Sequence, residues 1–359
     1  MFDFLDNWLA NGGFWVAVPL IIVGCVALIK GADFLVDGAS GLAKKYGVSD
    51  IVIGLTVVAF GTSMPEFVVN MVAVGQGSTE IAITNVLGSN IINTFVILGC
   101  TALIFPISSQ KATRKFDIPF SMLAALVVLF FAIYNGPSWL QIEHLFNINV
   151  SDPSLRNLGS FNWGAGEMAF ISGVGGSILL IFFLIFLWHN FKGIGSAPQT
   201  ESNEGYKPMS ARRALALIIG GLVGLVVGGE VIVKSATSIA QSLGVSDAII
   251  GLTVVALGTS LPELATSCMA AFKKNCDIAL GNVIGSNLFN IFFILGTSAC
   301  VKALPGYHGL EMDALMAALG SVLVMLFVYL TKKHEIKRWH GAILLLTYAA
   351  YLAYRIITL

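Results

Sequence analysis

Long apolar runs recur along the whole chain and set the first expectation for its fold. A helix that crosses a bilayer needs about 20 mainly apolar residues. Ten runs are of that kind, with more polar segments between them: 14–30, 48–75, 80–105, 117–135, 166–190, 212–234, 245–272, 277–301, 312–331 and 339–357. The pattern predicts an all-α membrane protein with ten transmembrane helices.

The composition excludes other classes of protein. Of 359 residues, 56% are hydrophobic and only 11% are charged, and the mean hydropathy is +0.85. Soluble domains carry about 25% charged residues. The 20 basic residues are balanced by 20 acidic ones, so nucleic acid is not an expected partner. The five cysteines show no C-x-x-C spacing, which argues against a secreted disulfide scaffold.

Basic residues are distributed unevenly between the two sides of the predicted bundle. In the ten-span scheme, the loops and helix ends of one side hold sixteen Lys and Arg residues and those of the other side hold four. Because cytoplasmic loops are enriched in Lys and Arg, we expect a multi-pass protein of the cell membrane with both termini outside the cytoplasm. The polar segment 191–211 is then a cytoplasmic linker.

Two stretches of the chain share one sequence. Residues 47–99 align without a gap to residues 244–296, at an offset of 197, and about 29 of the 53 positions are identical. Five predicted spans separate the starts of the two copies, and an odd number inverts the second copy. We therefore expect two five-helix repeats of inverted topology, residues 1–190 and 212–359. Secondary transporters with interrupted helices and a midplane ion site are built in this way.

Two glutamates lie deep inside predicted spans. Glu66 and Glu263 occupy matching positions of the repeat, each directly after a proline. A carboxylate at that depth costs at least a few kcal/mol, and no Lys, Arg or His lies at a comparable depth. Both glutamates are therefore candidates for binding a cation. Four other acids are interpreted as helix-cap or first-turn residues: Asp50, Asp247, Glu80 and Asp277.

Prolines and glycines predict an interruption of both spans beside these glutamates. A proline has no N–H, so carbonyls about one turn earlier lose their donors. Such carbonyls are intolerable in lipid but suit a cation in a cavity. The residues concerned are Pro65 and Pro262, the carbonyl segments Ala59–Thr62 and Ala256–Thr259, and Gly61 and Gly258, which allow a bend.

Hydroxyl and amide groups complete an all-oxygen set of candidate ligands. They belong to Thr62, Ser63, Ser89 and Asn93 and to Thr259, Ser260, Ser286 and Asn290. In each copy the last Ser and the Asn are four residues apart and share a helix face. Hard cations such as Ca²⁺ and Na⁺ prefer such oxygens. Two carboxylates neutralise one Ca²⁺ or are shared by two or more Na⁺, so competition for one site would couple the two fluxes.

With these motifs the chain resembles the Ca²⁺/cation antiporter superfamily, specifically its prokaryotic Na⁺/Ca²⁺ exchangers. GTSMPE…GSNIIN and GTSLPE…GSNLFN match the α-repeats of that family, whereas its Ca²⁺/H⁺ branch typically carries G-N-x-x-E. The resemblance implies Ca²⁺ coordination by Glu66, Glu263 and the carbonyls of Thr62 and Thr259. It implies mirrored Na⁺ sites that share these four residues and add Ala59, Ser63 and Ser89 in one copy and Ala256, Ser260 and Ser286 in the other.

The resemblance also implies how the transporter works. The usual family stoichiometry is three Na⁺ per Ca²⁺, and the first and sixth spans are expected to slide as the gate. We expect a monomer in the lipid bilayer that is not an enzyme and uses no cofactor. Position 290 is Asn, where some relatives carry an Asp that is associated with K⁺ dependence. No K⁺ requirement is therefore expected here.

A Ca²⁺/H⁺ antiporter is the alternative reading of the same residues. The five histidines lie in loops or at span ends and offer no central proton relay, but the two glutamates could themselves carry protons. A cation channel is a further alternative, and its flux would not depend on a counter-ion. The chain contains neither H-E-x-x-H nor G-x-S-x-G, so a hydrolase is not expected.

Overall fold

The computed structural model describes residues 3–135, 169–192, 209–244, 256–307 and 309–358, which are mainly helical. The first half contains α1 (Asp3–Tyr46), α2 (Asp50–Ile53), α3 (Ala59–Thr62), α4 (Met64–Gly75), α5 (Thr79–Ile91), α6 (Leu98–Ile104), β1 (Ile107–Ser108), α7 (Lys111–Lys115), α8 (Asp117–Asn135), β2 (Ala169–Ile171) and α9 (Gly173–Lys192). The second half contains α10 (Ala211–Ser242), α11 (Ala256–Thr259), α12 (Leu261–Phe272), α13 (Cys276–Leu288), α14 (Gly296–Val301), β3 (Leu304–Pro305), α15 (Leu310–Leu330), β4 (Glu335–Ile336) and α16 (Arg338–Thr358).

Nine of the ten predicted spans have counterparts among these residues. Eight helices, several of them formed by consecutive elements, are long and apolar enough to cross a membrane. The pair Asp50–Thr62 and Met64–Gly75 gives a ninth span, bent by 45°. The predicted span 245–272 and the linker 191–211 lie partly outside the described residues, and Asp247 lies wholly outside them. The count of ten stays a prediction.

The helices α1 and α10 are longer than their apolar runs, so the predicted spans 14–30 and 212–234 were too short. The additional turns of α1 are amphipathic and bury small residues such as Ala39 and Ala43 against the core, which keeps the helix stable beyond the apolar run. Each helix is followed closely by a glycine in the left-handed region, Gly47 (φ +63°) and Gly244 (φ +75°). Glycine tolerates this conformation and ends a helix there.

A seam of small residues joins α1 to α10. A Cβ atom at Gly31 would lie 2.8 Å from the Gly221 carbonyl oxygen, and one at Gly24 would lie 2.9 Å from that of Gly228. Residue numbers of the contacts increase along α1 and decrease along α10, so the two helices are antiparallel. Glycines permit this backbone approach, and the antiparallel pairing is the arrangement that two inverted copies require.

The centre of the bundle consists of the two helical segments that carry the Ser and Asn pairs. In Cys276–Val301, 94% of the most apolar 18-residue stretch is buried, and in Thr79–Ile104 the share is 72%. The corresponding share in the first span is only 17%. The α5 and α13 segments are therefore surrounded by protein, whereas α1 lies at the periphery.

Two short antiparallel sheets connect the two halves of the chain. The strand β1 pairs with β4 through Ile107 and Ile336, and β2 pairs with β3 through Ala169 and Pro305. In each sheet one strand comes from the first half and one from the second. The halves therefore interlock at both sheets rather than folding side by side.

Candidate cation-binding site

A break between two helices positions each of the two deep glutamates. The helix α3 ends at Ser63 (φ −85°, ψ 5°), and α4 then begins with Pro65 and Glu66 in its first turn. The same break occurs at Ser260 (φ −92°, ψ 6°), before Glu263 in the first turn of α12. Proline suits the first turn of a helix because the N–H that it lacks has no partner there. The positive end of each helix dipole favours a carboxylate at this position.

The two glutamates lie together in the interior, each against the other repeat. Each is only 1% exposed. Ser63 donates a hydrogen bond of 2.9 Å to Oε1 of Glu263, and Glu66 lies beside Ser260 and within reach of the charge of Glu263. Among the described residues, the ion pairs involve other side chains and leave both glutamates without a basic partner.

Several buried oxygen atoms of the predicted ligand set form no hydrogen bond within the described part of the protein. They are Oε2 of Glu66 and Glu263, Oγ of Ser89 and Ser286, Oδ1 of Asn93 and Asn290, and, in the second half only, Oγ1 of Thr259 and Oγ of Ser260. A buried polar atom without a partner costs about 1–3 kcal/mol, and native structures contain few of them. The Glu, Ser and Asn oxygens recur at matching positions of the two halves, which is the property expected of a site that binds a ligand through oxygen.

Asn93 and Asn290 lie in π-helical turns. These turns cover Ile92–Ile97 after α5 and Phe289–Leu295 after α13. A π turn interrupts the regular pattern of backbone hydrogen bonds and is frequent at functional sites. Both asparagines are buried. Each π turn widens the central helix of its own repeat.

Two details of the predicted interruption are corrected by the structure. The Ala59 carbonyl keeps a donor, the Ser63 amide at 3.0 Å, because the helix continues to Ser63. The carbonyl that Pro65 leaves without its usual donor is that of Gly61, four residues earlier. The bend lies two residues after Gly61. The absence of a side chain at Gly61 instead makes room for Leu222 of α10, because a Cβ atom there would lie 2.7 Å from a Leu222 methyl group.

The second copy follows the same plan at Gly258 and Ala256. Gly258 packs against Val233 of α10, so its role is also close packing rather than bending. Ala256 is the first residue of α11 and offers a backbone carbonyl one turn before Ser260. The backbone carbonyls that could bind a cation are thus placed alike in the two halves.

Asn282 was not singled out from the sequence, although it is identical to Asn85 in the repeat. Its amide nitrogen donates to the Glu263 carbonyl at 3.3 Å and to Ser267 Oγ at 2.9 Å. Its Oδ1 accepts a hydrogen bond of 3.1 Å from Thr62 Oγ1. One side chain therefore ties the broken helix of the second copy to that of the first. The identity of the two asparagines was the sequence signal for this role.

Two of the acids assigned to helix ends, Asp50 and Asp277, are buried and have neutral hydrogen-bond partners, whereas Glu80 is exposed. Asp50 accepts a bond of 2.8 Å from Asn275, and Asp277 accepts one from Gln110. The cap of α13 is Asn275 itself, which accepts from the Ile278 amide at 3.0 Å. Asp50, Glu80 and Asp277 each lie in the first turn of a helix, as expected, and Asp50 also holds the capping residue of α13 in place.

The chemistry of the site is that of hard-cation coordination. Within the described ranges, no group of three or more His, Cys, Asp or Glu side chains is placed to hold a metal ion. The available donors are two carboxylates, several hydroxyl and amide oxygens and backbone carbonyls. Such a set suits Ca²⁺ or Na⁺ and lacks the nitrogen and sulfur ligands that Zn²⁺ and Cu⁺ prefer.

Sequence comparison relates almost the whole chain to one transporter family. The profile described as "Sodium/calcium exchanger protein" matches residues 16–192 and 213–357. The sodium/calcium exchanger MaX1 of Methanosarcina acetivorans is 32% identical over 351 residues, covering 93% of this chain and 96% of its own. The Ca²⁺/H⁺ antiporter ChaA of Bacillus subtilis is 23% identical over 344 residues, covering 93% of this chain and 91% of its own.

Structural comparison leads to the same family. A solved structure of the sodium-calcium exchanger NCX_Mj, soaked with Na⁺ and Sr²⁺, superimposes with a TM-score of 0.75 at 31% sequence identity. The match covers 95% of this chain and 99% of the other. The apolar helices, the family profile and the fold agree. This chain therefore belongs to the sodium/calcium exchanger family and is a multi-pass membrane cation antiporter.

Proposed function

We propose that the protein exchanges Na⁺ for Ca²⁺ across the cell membrane, with both ions competing for one site built on Glu66 and Glu263. The observation that carries this proposal is the pair of buried carboxylates, each with one oxygen that has no hydrogen-bond partner among the residues that the structure describes. A cation between them would satisfy these oxygens and neutralise the charge. The relatives named as sodium/calcium exchangers and the G-T-S-x-P-E motifs favour Na⁺ as the counter-ion.

The ligands divide between the two ions in the proposed mechanism. Ca²⁺ takes the two carboxylates together with the backbone carbonyls of Thr62 and Thr259. Na⁺ ions share these groups and use further oxygens in two mirrored sets. The sets are Ala59, Ser63 and Ser89 in one half and Ala256, Ser260 and Ser286 in the other, with Asn93 and Asn290 beside them. Pro65, Pro262, Gly61 and Gly258 shape the backbone around these groups.

The charge of this site makes the proposed exchange electrogenic. Two ionised glutamates contribute a charge of −2, while Asn93 and Asn290 contribute none. One Ca²⁺ cancels this charge, and three Na⁺ exceed it by one. An exchange of three Na⁺ for one Ca²⁺ therefore moves one net charge per cycle, and K⁺ is not needed.

The proposed orientation in the membrane is based on the distribution of the basic residues. The ends that carry Lys44, Lys115, Lys273 and Lys333 face the cytoplasm, and both termini lie on the other side. The two inverted repeats, residues 1–190 and 212–359, alternate around the central site, and the protein functions as a monomer. The linker 191–211 joins the repeats on the cytoplasmic side.

A flux experiment distinguishes this proposal from Ca²⁺/H⁺ exchange. Ca²⁺ uptake is measured in vesicles that contain the purified protein, with the Na⁺ gradient varied at clamped pH and the pH gradient varied without Na⁺. We expect uptake to follow the Na⁺ gradient. Uptake that ignores Na⁺ but follows pH would favour the alternative, in which the glutamates carry protons, as the similarity to a Ca²⁺/H⁺ antiporter allows.

A further inference from the structure

A matching threonine and asparagine in the two halves of the site form different hydrogen bonds. Thr62 Oγ1 donates across the repeats to Asn282 Oδ1 at 3.1 Å. The residues that correspond to these two by the offset of 197 are Thr259 and Asn85. Thr259 Oγ1 is buried and forms no hydrogen bond within the described residues. The same pair of side chains is therefore joined in one half and separated in the other.

The two asparagines also differ in whether they bond to the other half. Asn282 is fully buried and connects Thr62 of the first half with the Glu263 backbone and Ser267 of the second. Asn85 is partly buried, and its amide nitrogen binds only residues of its own half, Asn70 Oδ1 at 2.7 Å and the Glu66 carbonyl at 3.5 Å. Threonine and asparagine stand at both positions, but the own-half partner of the asparagine differs, since Asn70 in the first half corresponds to Ser267 in the second.

The joined pair also frees a candidate ligand. The Thr62 hydroxyl has one proton and lies within hydrogen-bond distance of Asn282 Oδ1 at 3.1 Å and the Ala59 carbonyl at 3.3 Å, with the Glu263 carboxylate beside it. When the proton is directed to Asn282, the Ala59 carbonyl keeps a lone pair for a cation. A bond from Thr62 to Asn282 therefore keeps a carbonyl oxygen of the first repeat available to a cation.

We propose that Asn282 and Asn85 are positioning residues that act in alternation. The Thr62–Asn282 bond stabilises the conformation of this structure, and the Thr259–Asn85 bond replaces it in the alternate conformation of the transport cycle. Inverted repeats that rock around a fixed site exchange their environments when access alternates, so a contact between the repeats in one state has its mirror image in the other. This inference rests on the proposed alternating antiport, but not on the identity of the counter-ion.

The test uses two matched substitutions that remove one hydroxyl and keep every backbone carbonyl. Thr62→Val and Thr259→Val preserve the branched shape of the side chain. Ca²⁺/Ca²⁺ exchange is measured in right-side-out and in everted membrane vesicles from the same cells, and the apparent KM for Ca²⁺ is determined at each face. A buried hydrogen bond contributes enough to shift a two-state equilibrium about fivefold. The ratio of the two KM values should move about fivefold in one direction for Thr62→Val and in the opposite direction for Thr259→Val.

Further variants distinguish positioning from a simple structural effect. Thr62→Ser and Thr259→Ser keep the hydroxyl and should keep the wild-type KM ratio. The double valine variant should return the ratio towards the wild-type value, because both states lose one bond. Equal shifts of both single variants in the same direction, or an unchanged ratio in folded protein, would overturn the proposal. Ca²⁺ flux is read in every case, so a counter-ion other than Na⁺ would refute the proposed function without affecting this test.

Discussion

At the centre of the bundle the two halves of the chain present the same side chains, whereas at the ends they do not. Glu66 and Glu263 lie in equivalent helix breaks, each facing a serine of the other half. At one end, Lys273 contacts Asp33 and Asp37 of α1, each at 2.6 Å. At the offset of 197, the residue that corresponds to Lys273 is Gln76, which cannot form an ion pair.

The difference shows which property each region controls. A symmetric centre offers an ion the same ligands from either side, as exchange in both directions requires. We expect asymmetric ends to give the two facing states different energies, because the ion pairs of Lys273 have no counterpart at Gln76 of the other half. We therefore expect ion selectivity to be set at the centre and the balance between facing states to be set in part at the ends.

The largest expected effect comes from removing either central charge. Glu66→Gln and Glu263→Gln should each lower Ca²⁺ transport by at least about a hundredfold, since the loss of one partner from a buried charge cluster costs several kcal/mol. The two losses should be similar, because the breaks are equivalent. The measurement is Ca²⁺ flux in reconstituted vesicles.

Glu80→Gln is the matched control for these two variants. Glu80 is an exposed acid in the first turn of α5, so this variant should retain its flux. Wild-type flux in Glu66→Gln, or loss in only one of the two central variants, would contradict a site that both halves share.

A charge added on one side of the centre should break its symmetry. Asn290→Asp introduces a third carboxylate beside the same ions, and like charges packed together favour protonation or recruit another cation. Ca²⁺ flux of this variant should become severalfold more dependent on pH or on K⁺. Asn290→Ser adds no charge and serves as the control. A wild-type flux that strictly requires K⁺ would show that the charge of the site is assigned wrongly.

The helix breaks beside Glu66 and Glu263 could be predicted from sequence, because proline acts locally, whereas the ligand set stays a prediction. The contacts of Asn282 could not, since a hydrogen bond between residues 220 positions apart leaves no periodic signal. The strands are two or three residues long, too short to show alternation. The length of α1 was missed because its last turns contain Asp33 and Asp37, whose partner Lys273 is distant in sequence.

The seam between α1 and α10 should tolerate no additional atoms. A Cβ atom at Gly221 would lie 2.7 Å from the Gly31 carbonyl oxygen, whereas one at Gly220 meets no atom within 4 Å. Gly221→Ala should therefore destabilise the protein by about 1–3 kcal/mol. Gly220→Ala should leave stability unchanged or raise it, since alanine favours helix. Thermal unfolding in detergent measures both, and an equal effect of the two variants would contradict the close approach.

The smallest expected effect concerns the ends. The side chains of Lys273, Asp33 and Asp37 are 22%, 30% and 39% exposed, and solvent screens such pairs. Lys273→Gln, which copies Gln76 of the other half, should cost less than about 1 kcal/mol of unfolding free energy. The difference from wild type should shrink further in high salt. Substitution of the neighbouring exposed lysine, Lys274→Gln, is the control, and a larger or salt-independent loss would show that the pairs are not screened.

Competition between Na⁺ and Ca²⁺ at one shared site is the central claim, and equilibrium Ca²⁺ binding to the purified protein tests it most directly. Binding of ⁴⁵Ca²⁺ is measured at increasing Na⁺ for the wild type and for Glu66→Gln and Glu263→Gln. We expect one Ca²⁺ per wild-type chain, complete displacement by Na⁺ with a Hill coefficient above one, and no saturable binding in either variant. Ca²⁺ that stays bound at saturating Na⁺, or that binds normally without one of the two carboxylates, would contradict the account.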